Sequence, residues 1–323
     1  MNIKISLVMA TAKGSYPSDQ NGIHLVDKKG PHLFDITLKS LERQTFTDFE
    51  FIIVDALYHK RKDFFQNKHY SFPIKHIEPR PNIWLRKGMW ALCSARNQGI
   101  IHSDGELVVF IDDIFGFGPD WLELFWKYYD EDVLFAQALS DFYTREGEKV
   151  IRNGEWIRDS RWKFIDEGSE HLRKHGDAYI HNVGDWFYGA GASASMEMLL
   201  RVNGFDENFD GTKSLEDCDL GRRLVELGCE FVFDKRLKSN GYDTDYHFEN
   251  LTYKGSAFKS NFPLVQINSD RHRIVVNKDL LTEDEVKFVR EESLKWNVTI
   301  VDELFELWVD NQPIFDLREL RLS

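Results

Sequence analysis

The sequence predicts an α/β fold: a mostly parallel sheet flanked by helices, followed by a mainly helical C-terminal extension. Three observations predict it. Short, largely apolar runs at 3–10, 49–54 and 106–111 have strand length, helical spacing fills the intervals between them, and two of the runs end at aspartates. Strands alternating with helices argue for parallel pairing, because a parallel neighbour needs a crossover connection.

Residues 3–10 read as the first buried strand, and 13–31, polar with Gly and Pro, as a long loop. Phe34, Leu38 and Leu41 are spaced as one face of a helix over 33–44, and 49–54 is a second buried strand ending at Asp55. A third strand is expected at 74–77, a helix over 90–101, and a strand over 106–111 running into Asp112 and Asp113. Ligands of such sheets bind beyond the carboxyl ends of the strands, where these aspartates would meet. Residues 145–185 are polar and mixed, and carry no assignable period. Helices are expected at 215–227 and 282–296, the latter with Thr282 and Glu285 spaced as a capping box. The division expected is a domain over 1–254 and an extension or lid over 255–323.

Lys and Arg number 41 against 54 Asp and Glu, so the net charge of −13 offers no general attraction to nucleic acid or anionic lipid. Three cysteines without a CxxC pair suggest neither a disulfide framework nor a cysteine zinc site. No apolar run approaches the ~18 residues that span a bilayer. The N-terminus alternates like a strand and lacks the basic start of a signal peptide, so a cytoplasmic location is expected.

Four stretches occur in order: SLERQTFTDFEFIIVD from Ser40, SARNQGIIHSDGELVVFIDD from Ser94, GASASMEMLLRVNGFDENF from Gly191 and LEDCDLGRRLVELG from Leu215. Together they resemble family 2 glycosyltransferases of the GT-A fold, over roughly residues 1–250. The resemblance implies an inverting transfer from a nucleotide-sugar donor, a UDP-sugar first, to a hydroxyl on a glycan or other acceptor.

It also implies roles by position. Asp112 and Asp113 resemble the acidic metal motif, with Asp113 on Mn2+ or Mg2+ and Asp112 on the ribose or behind the metal. Hard carboxylate oxygens suit such a cation, which neutralises a diphosphate leaving group. Asp55 stands where the family hydrogen-bonds the nucleobase, with Thr11 a weaker neighbour. Arg96 could fork onto the diphosphate or form an ion pair that fastens its helix to the sheet. Glu216 and Asp217 resemble the acidic pair that supplies the general base.

On a helical wheel Asp217 falls beside Leu220, Leu224 and Leu227, and therefore faces inward, whereas Asp219 points away and reads as a surface partner of Arg222 or Arg223. A positioned carboxylate can take the proton of an attacking hydroxyl, so Asp217 is the expected base. His247 is a possible metal ligand, with Asp243 and Asp245 as second choice. Trp186 and Tyr188, with Glu216, are the acceptor-side residues expected, core packing being the other reading of the aromatics. The rivals are a sugar-phosphate nucleotidyltransferase, which should carry a Gly-rich loop that MATAKGSYP lacks, and a non-catalytic relative of the same fold. A nucleic-acid acceptor is disfavoured by the net charge.

Overall fold

The computed structural model describes residues 3–11, 33–66, 69–113, 115–144, 147–152, 154–156, 173–176, 178–181, 184–242 and 258–323. The expected loop at 13–31 lies outside them. Strands β1 (Ile5–Thr11), β2 (Phe49–Asp55), β3 (Ile74–Ile77) and β4 (Leu107–Ile111) form a parallel half-sheet in the order β3-β2-β1-β4. Helices α1 (Leu33–Leu41), α2 (Tyr58–Gln66), α3 (Ile83–Arg86) and α4 (Leu92–Ile101) make the connections.

Strands β1, β2 and β4 are buried on both faces, and the period of two divides their side chains between two cores. Val8, Ile52, Val54, Val108 and Phe110 enter one; Ile5, Leu7, Met9, Phe51, Ile53, Leu107, Val109 and Ile111 enter the other. This explains why the strands read as largely apolar runs.

The sheet then turns mixed. After β5 (Phe115–Phe117) and α5 (Trp121–Lys127) comes the long β6 (Val133–Tyr143); β7 (Ile151–Arg152) and β8 (Glu155–Trp156) form a separate hairpin. Strands β9 (Arg173–His175) and β10 (Ala178–His181) add an antiparallel edge, and β11 (Ala192–Ser195) inserts antiparallel between β4 and β6. Helices α6 (Met196–Arg201) and α7 (Glu216–Glu226) lead to β12 (Glu230–Tyr242), parallel to β6 with a register shift between Asp234 and Lys238.

The C-terminal segment is helical among its described residues: α8 (Phe262–Asp270), α9 (Glu283–Lys295), α10 (Asp302–Asp310) and α11 (Leu317–Leu322). The capping box of α9 forms as its spacing predicts, Thr282 accepting from the Glu285 backbone and Glu285 from that of Thr282. Leu264, Val265, Val289, Phe305 and Trp308 join the core that holds Val8 and Phe110. Phe258 stacks on Trp84 at 5.2 Å, and the Trp308 indole donates to the Asn208 carbonyl at 3.0 Å. Among the described residues, no helix is long and apolar enough to cross a membrane.

Candidate active site

The parallel pairing delivers the acidic residues to one edge. Thr11, last in β1, is paired with Asp55, last in β2, while Met9 is paired with Ile111, so Asp112 and Asp113 leave β4 just beside the end of β1. Thr11 Oγ1 donates to Asp113 Oδ2 at 2.6 Å.

Asp55 is fully buried and its carboxylate is engaged on both oxygens. Oδ1 accepts from the Leu57 amide at 2.8 Å and from Arg61 Nη1 at 3.0 Å; Oδ2 lies 2.9 Å from His76 Nε2. Burial lowers the pKa of Arg61, opposed by the charges of Asp55 and Asp113. Arg61 and His76 were not singled out by sequence; a basic residue six positions beyond a strand-end aspartate is the only local signal.

Arg96 projects from α4 and is 4% exposed. Its guanidinium stands 3.3 Å from Glu216 Oε1 and 3.8 Å from Asp112 Oδ1, and packs over the Phe205 ring. Burial pulls its pKa down, and Glu216, Asp112 and Asp217 more than restore it, so the cation is held charged. Its partners are therefore the start of α7 and, in the acidic pair beyond β4, Asp112. The start of α4 is capped from a distance: Asp210 accepts from the Cys93 and Ser94 amides at 2.9 and 3.2 Å.

Glu216 and Asp217 open α7. Glu216 is buried, and its pKa is pushed up to about 7, by burial first and then by Asp217, against the pull of Arg96. Asp217 is half-buried; Oδ2 accepts from the Gly189 amide at 3.1 Å and Oδ1 from the Cys218 amide at 2.9 Å. Gly189 has to be small, because a Cβ there would lie 1.8 Å from Arg96 Nη2. A second close approach seats α7: a Cβ on Gly184 would lie 2.0 Å from the Gly221 carbonyl carbon. Asp112, half-exposed, is raised by partial loss of water, opposed by Arg96 and reinforced by Asp113 and Asp217.

Asp219 corrects the helical wheel. It is 1% exposed, bonds Arg223 at 2.8 Å, and accepts from Asn268 Nδ2 at 2.9 Å. Arg223 is equally buried and donates to the carbonyls of Val202, Gly204 and Ile274. The face of α7 that the wheel assigned to solvent is covered by α8 and the turn at 202–206, which the local sequence does not reveal.

Thr11, Arg96, Asp112, Asp113, Glu216 and Asp217 therefore converge on one edge, with Asp55 behind it. Trp186 packs on Phe233 at 5.3 Å, a core contact, and Tyr188 is half-buried beside it in sequence. His247, Asp243 and Asp245 lie outside the described residues. Among the described residues, no group of three or more His, Cys, Asp or Glu could hold a metal ion.

Residues 30–185 match the model of Glycosyl transferase family 2. Among solved structures, TarS 1-349 of S. aureus in complex with UDP-GlcNAc matches at 15% identity and a TM-score of 0.53, covering 90% of this chain and 71% of that one. The mannosyltransferase PcManGT from Pyrobaculum calidifontis, in complex with GDP-Man and Mn2+, matches at 12% identity and a TM-score of 0.51, covering 99% of this chain and 74% of that one. The chain spans less than half of two longer structures it matches, 43% of GalNAc-T7 and 42% of S. aureus TarS. No curated protein matches it in sequence. The segment 30–185 thus matches a family 2 glycosyltransferase domain, and the solved structures share its fold.

Proposed function

We propose that the chain moves a sugar from a nucleotide-sugar donor, a UDP-sugar first, to an acceptor hydroxyl, with Asp217 as general base. The observation that carries this reading is the bridge made by Arg96, which brings Asp112 on the donor side and Glu216, next to Asp217, within one guanidinium of each other. TarS with UDP-GlcNAc and PcManGT with GDP-Man share the fold and lend support for a nucleoside-diphosphate sugar.

In the proposed step the acceptor oxygen bonds to the anomeric carbon, its proton passes to the Asp217 carboxylate, and the bond to the diphosphate breaks. A single displacement of this kind inverts the anomeric carbon. The Gly189 and Cys218 amides hold the direction of the Asp217 carboxylate.

Asp113 and Asp112 fit a hard divalent cation that completes its shell with phosphate oxygens and water, since Mg2+ and its like bind through one or two carboxylates plus substrate. Bound there, Mn2+ or Mg2+ would neutralise charge on the departing diphosphate. Thr11, by its bond to Asp113, orients that carboxylate. Asp55, the residue expected at the nucleobase, would act there through Arg61 and His76, which engage its carboxylate.

The test is thermal stabilisation by UDP, GDP, dTDP and CDP, with and without Mn2+, followed by transfer assays. A shift with one diphosphate that needs Mn2+ and vanishes in Asp113→Ala supports the donor site. Turnover that survives Asp217→Asn unchanged removes the proposed base.

A further inference from the structure

The helix carrying Glu216 and Asp217 starts from a strained backbone. Ser214 has φ 100° and Leu215 φ 73°, two successive non-glycine residues in the left-handed region, and Leu215 gives the helix no side-chain cap. Each such residue costs on the order of 1–3 kcal/mol unless its surroundings hold it. What holds these two comes from the C-terminal segment.

Asn261, 4% exposed, directs Nδ2 at three carbonyls of the incoming loop: Ser214 at 2.9 Å, Thr212 at 3.1 Å and Phe209 at 3.3 Å. The other end of the amide is fixed as well. Lys259, fully buried, donates from Nζ to Asn261 Oδ1 at 2.5 Å, which orients the amide nitrogen toward the loop. Lys259 is itself held between the rings of Phe258 and Trp308. One turn along α7, Asn268 Nδ2 donates to Asp219 Oδ1 at 2.9 Å and to Asp206 Oδ2 at 3.0 Å, tying the helix to the same segment.

We propose that Asn261 is a positioning residue for sugar transfer: by clamping the carbonyls of 209–214 it fixes the left-handed entry into α7 and thereby the aim of Asp217. The segment after residue 257, outside the part of the chain that matches the family, is then part of the catalytic apparatus. The inference rests on the reading of Asp217 as base. A misplacement of about 1 Å costs a reaction on the order of 10²-fold, so a loosened loop is enough to be felt.

The test compares wild type with Asn261→Ala and with Asn261→Ser, which keeps a polar partner for Lys259 but falls short of the carbonyls. Two readouts are taken: kcat and donor KM, and hydrogen exchange of the amides at 215–219. The expected result is a loss in kcat on the order of 10²-fold with donor KM unchanged, together with faster exchange at the start of α7. Adding Ser214→Gly and Leu215→Gly to Asn261→Ala should recover much of the loss, because glycine takes positive φ without the steric penalty. A folded Asn261 variant with wild-type kcat, or with unchanged exchange at 215–219, overturns the clamp. Absence of any transfer by the wild type would instead overturn the functional reading, leaving the exchange result to decide the clamp alone.

Discussion

Arg96 and Glu216 form a buried ion pair 120 residues apart in sequence, 3.3 Å between Nη1 and Oε1, at the point where α4 meets the start of α7. Neither ion is stable there without the other, since each has lost most of its water. Arg96→Met should destabilise the fold by about 3–5 kcal/mol, the cost of leaving one buried charge uncompensated. Arg96→Lys should recover little, because a point charge cannot span Asp112 and Glu216 as a fork does. Urea denaturation measures both; a loss under about 1 kcal/mol in Arg96→Met would mean that the pair contributes no more than one on the surface.

The pKa of Glu216 gives stability a predictable slope. The folded carboxyl titrates near 7, whereas the ordinary value is 4.5, so between these limits the native state holds more protons than the unfolded state. Stability from this group is therefore full below about pH 4.5, declines as pH rises, and is spent above about 7. Glu216→Gln removes the titration, and on going from pH 5 to pH 8 the variant should lose less stability than wild type. Parallel stability curves for the two proteins would rule out Glu216 as the titrating group.

How much of this could be read from the sequence depended on whether the cause was local. Strands β1, β2 and β4 were legible because burial on both faces demands largely apolar runs, and the strand-end aspartates followed from them. The capping box of Thr282 and Glu285 was legible because its two bonds span three residues. Strand β12 was not: beyond Asp234 its alternation breaks at the register shift, and polar Lys, Ser and Asn continue the ladder by pairing with β5 and β6. The strand β11, ASAS, lacks the bulky side chains that mark strands. Convergence of the acidic residues on one edge was anticipated, but the groups that tune them, Arg61, His76, Asn261 and the amide of Gly189, come from elements that only tertiary packing brings close.

Asp219 separates the surface and buried readings of one residue quantitatively. An exposed i,i+4 pair would contribute about 0–1 kcal/mol. With both side chains 2% exposed, Asp219→Ala should cost about 3–5 kcal/mol, since Arg223 is left among carbonyls without its countercharge. Thermal or urea unfolding decides between the two ranges. Donor affinity in the surviving folded protein should stay near wild type, because Asp219 points into the contact with α8 and away from the carboxyl edge.

Asp55 is both a strand-end residue of the proposed donor site and the anion on which Arg61 depends. Its two oxygens already meet the Leu57 amide, Arg61 and His76, and none of its surface is exposed. Replacing it by Asn keeps the shape but removes the charge beside a guanidinium that is 3% exposed. A residue that only contacted the nucleobase would lose nucleotide affinity and leave the fold untouched. The arrangement around Asp55 requires more: Asp55→Asn should lower stability by about 3 kcal/mol even without nucleotide, and Arg61→Met should do the same with no further loss when the two are combined. Non-additivity of this kind is the mark of one coupled pair. Full additivity of the two losses in a double-mutant cycle would mean that Asp55 and Arg61 stabilise the fold independently, whereas unchanged stability in Asp55→Asn would return Asp55 to the role of a nucleobase contact alone.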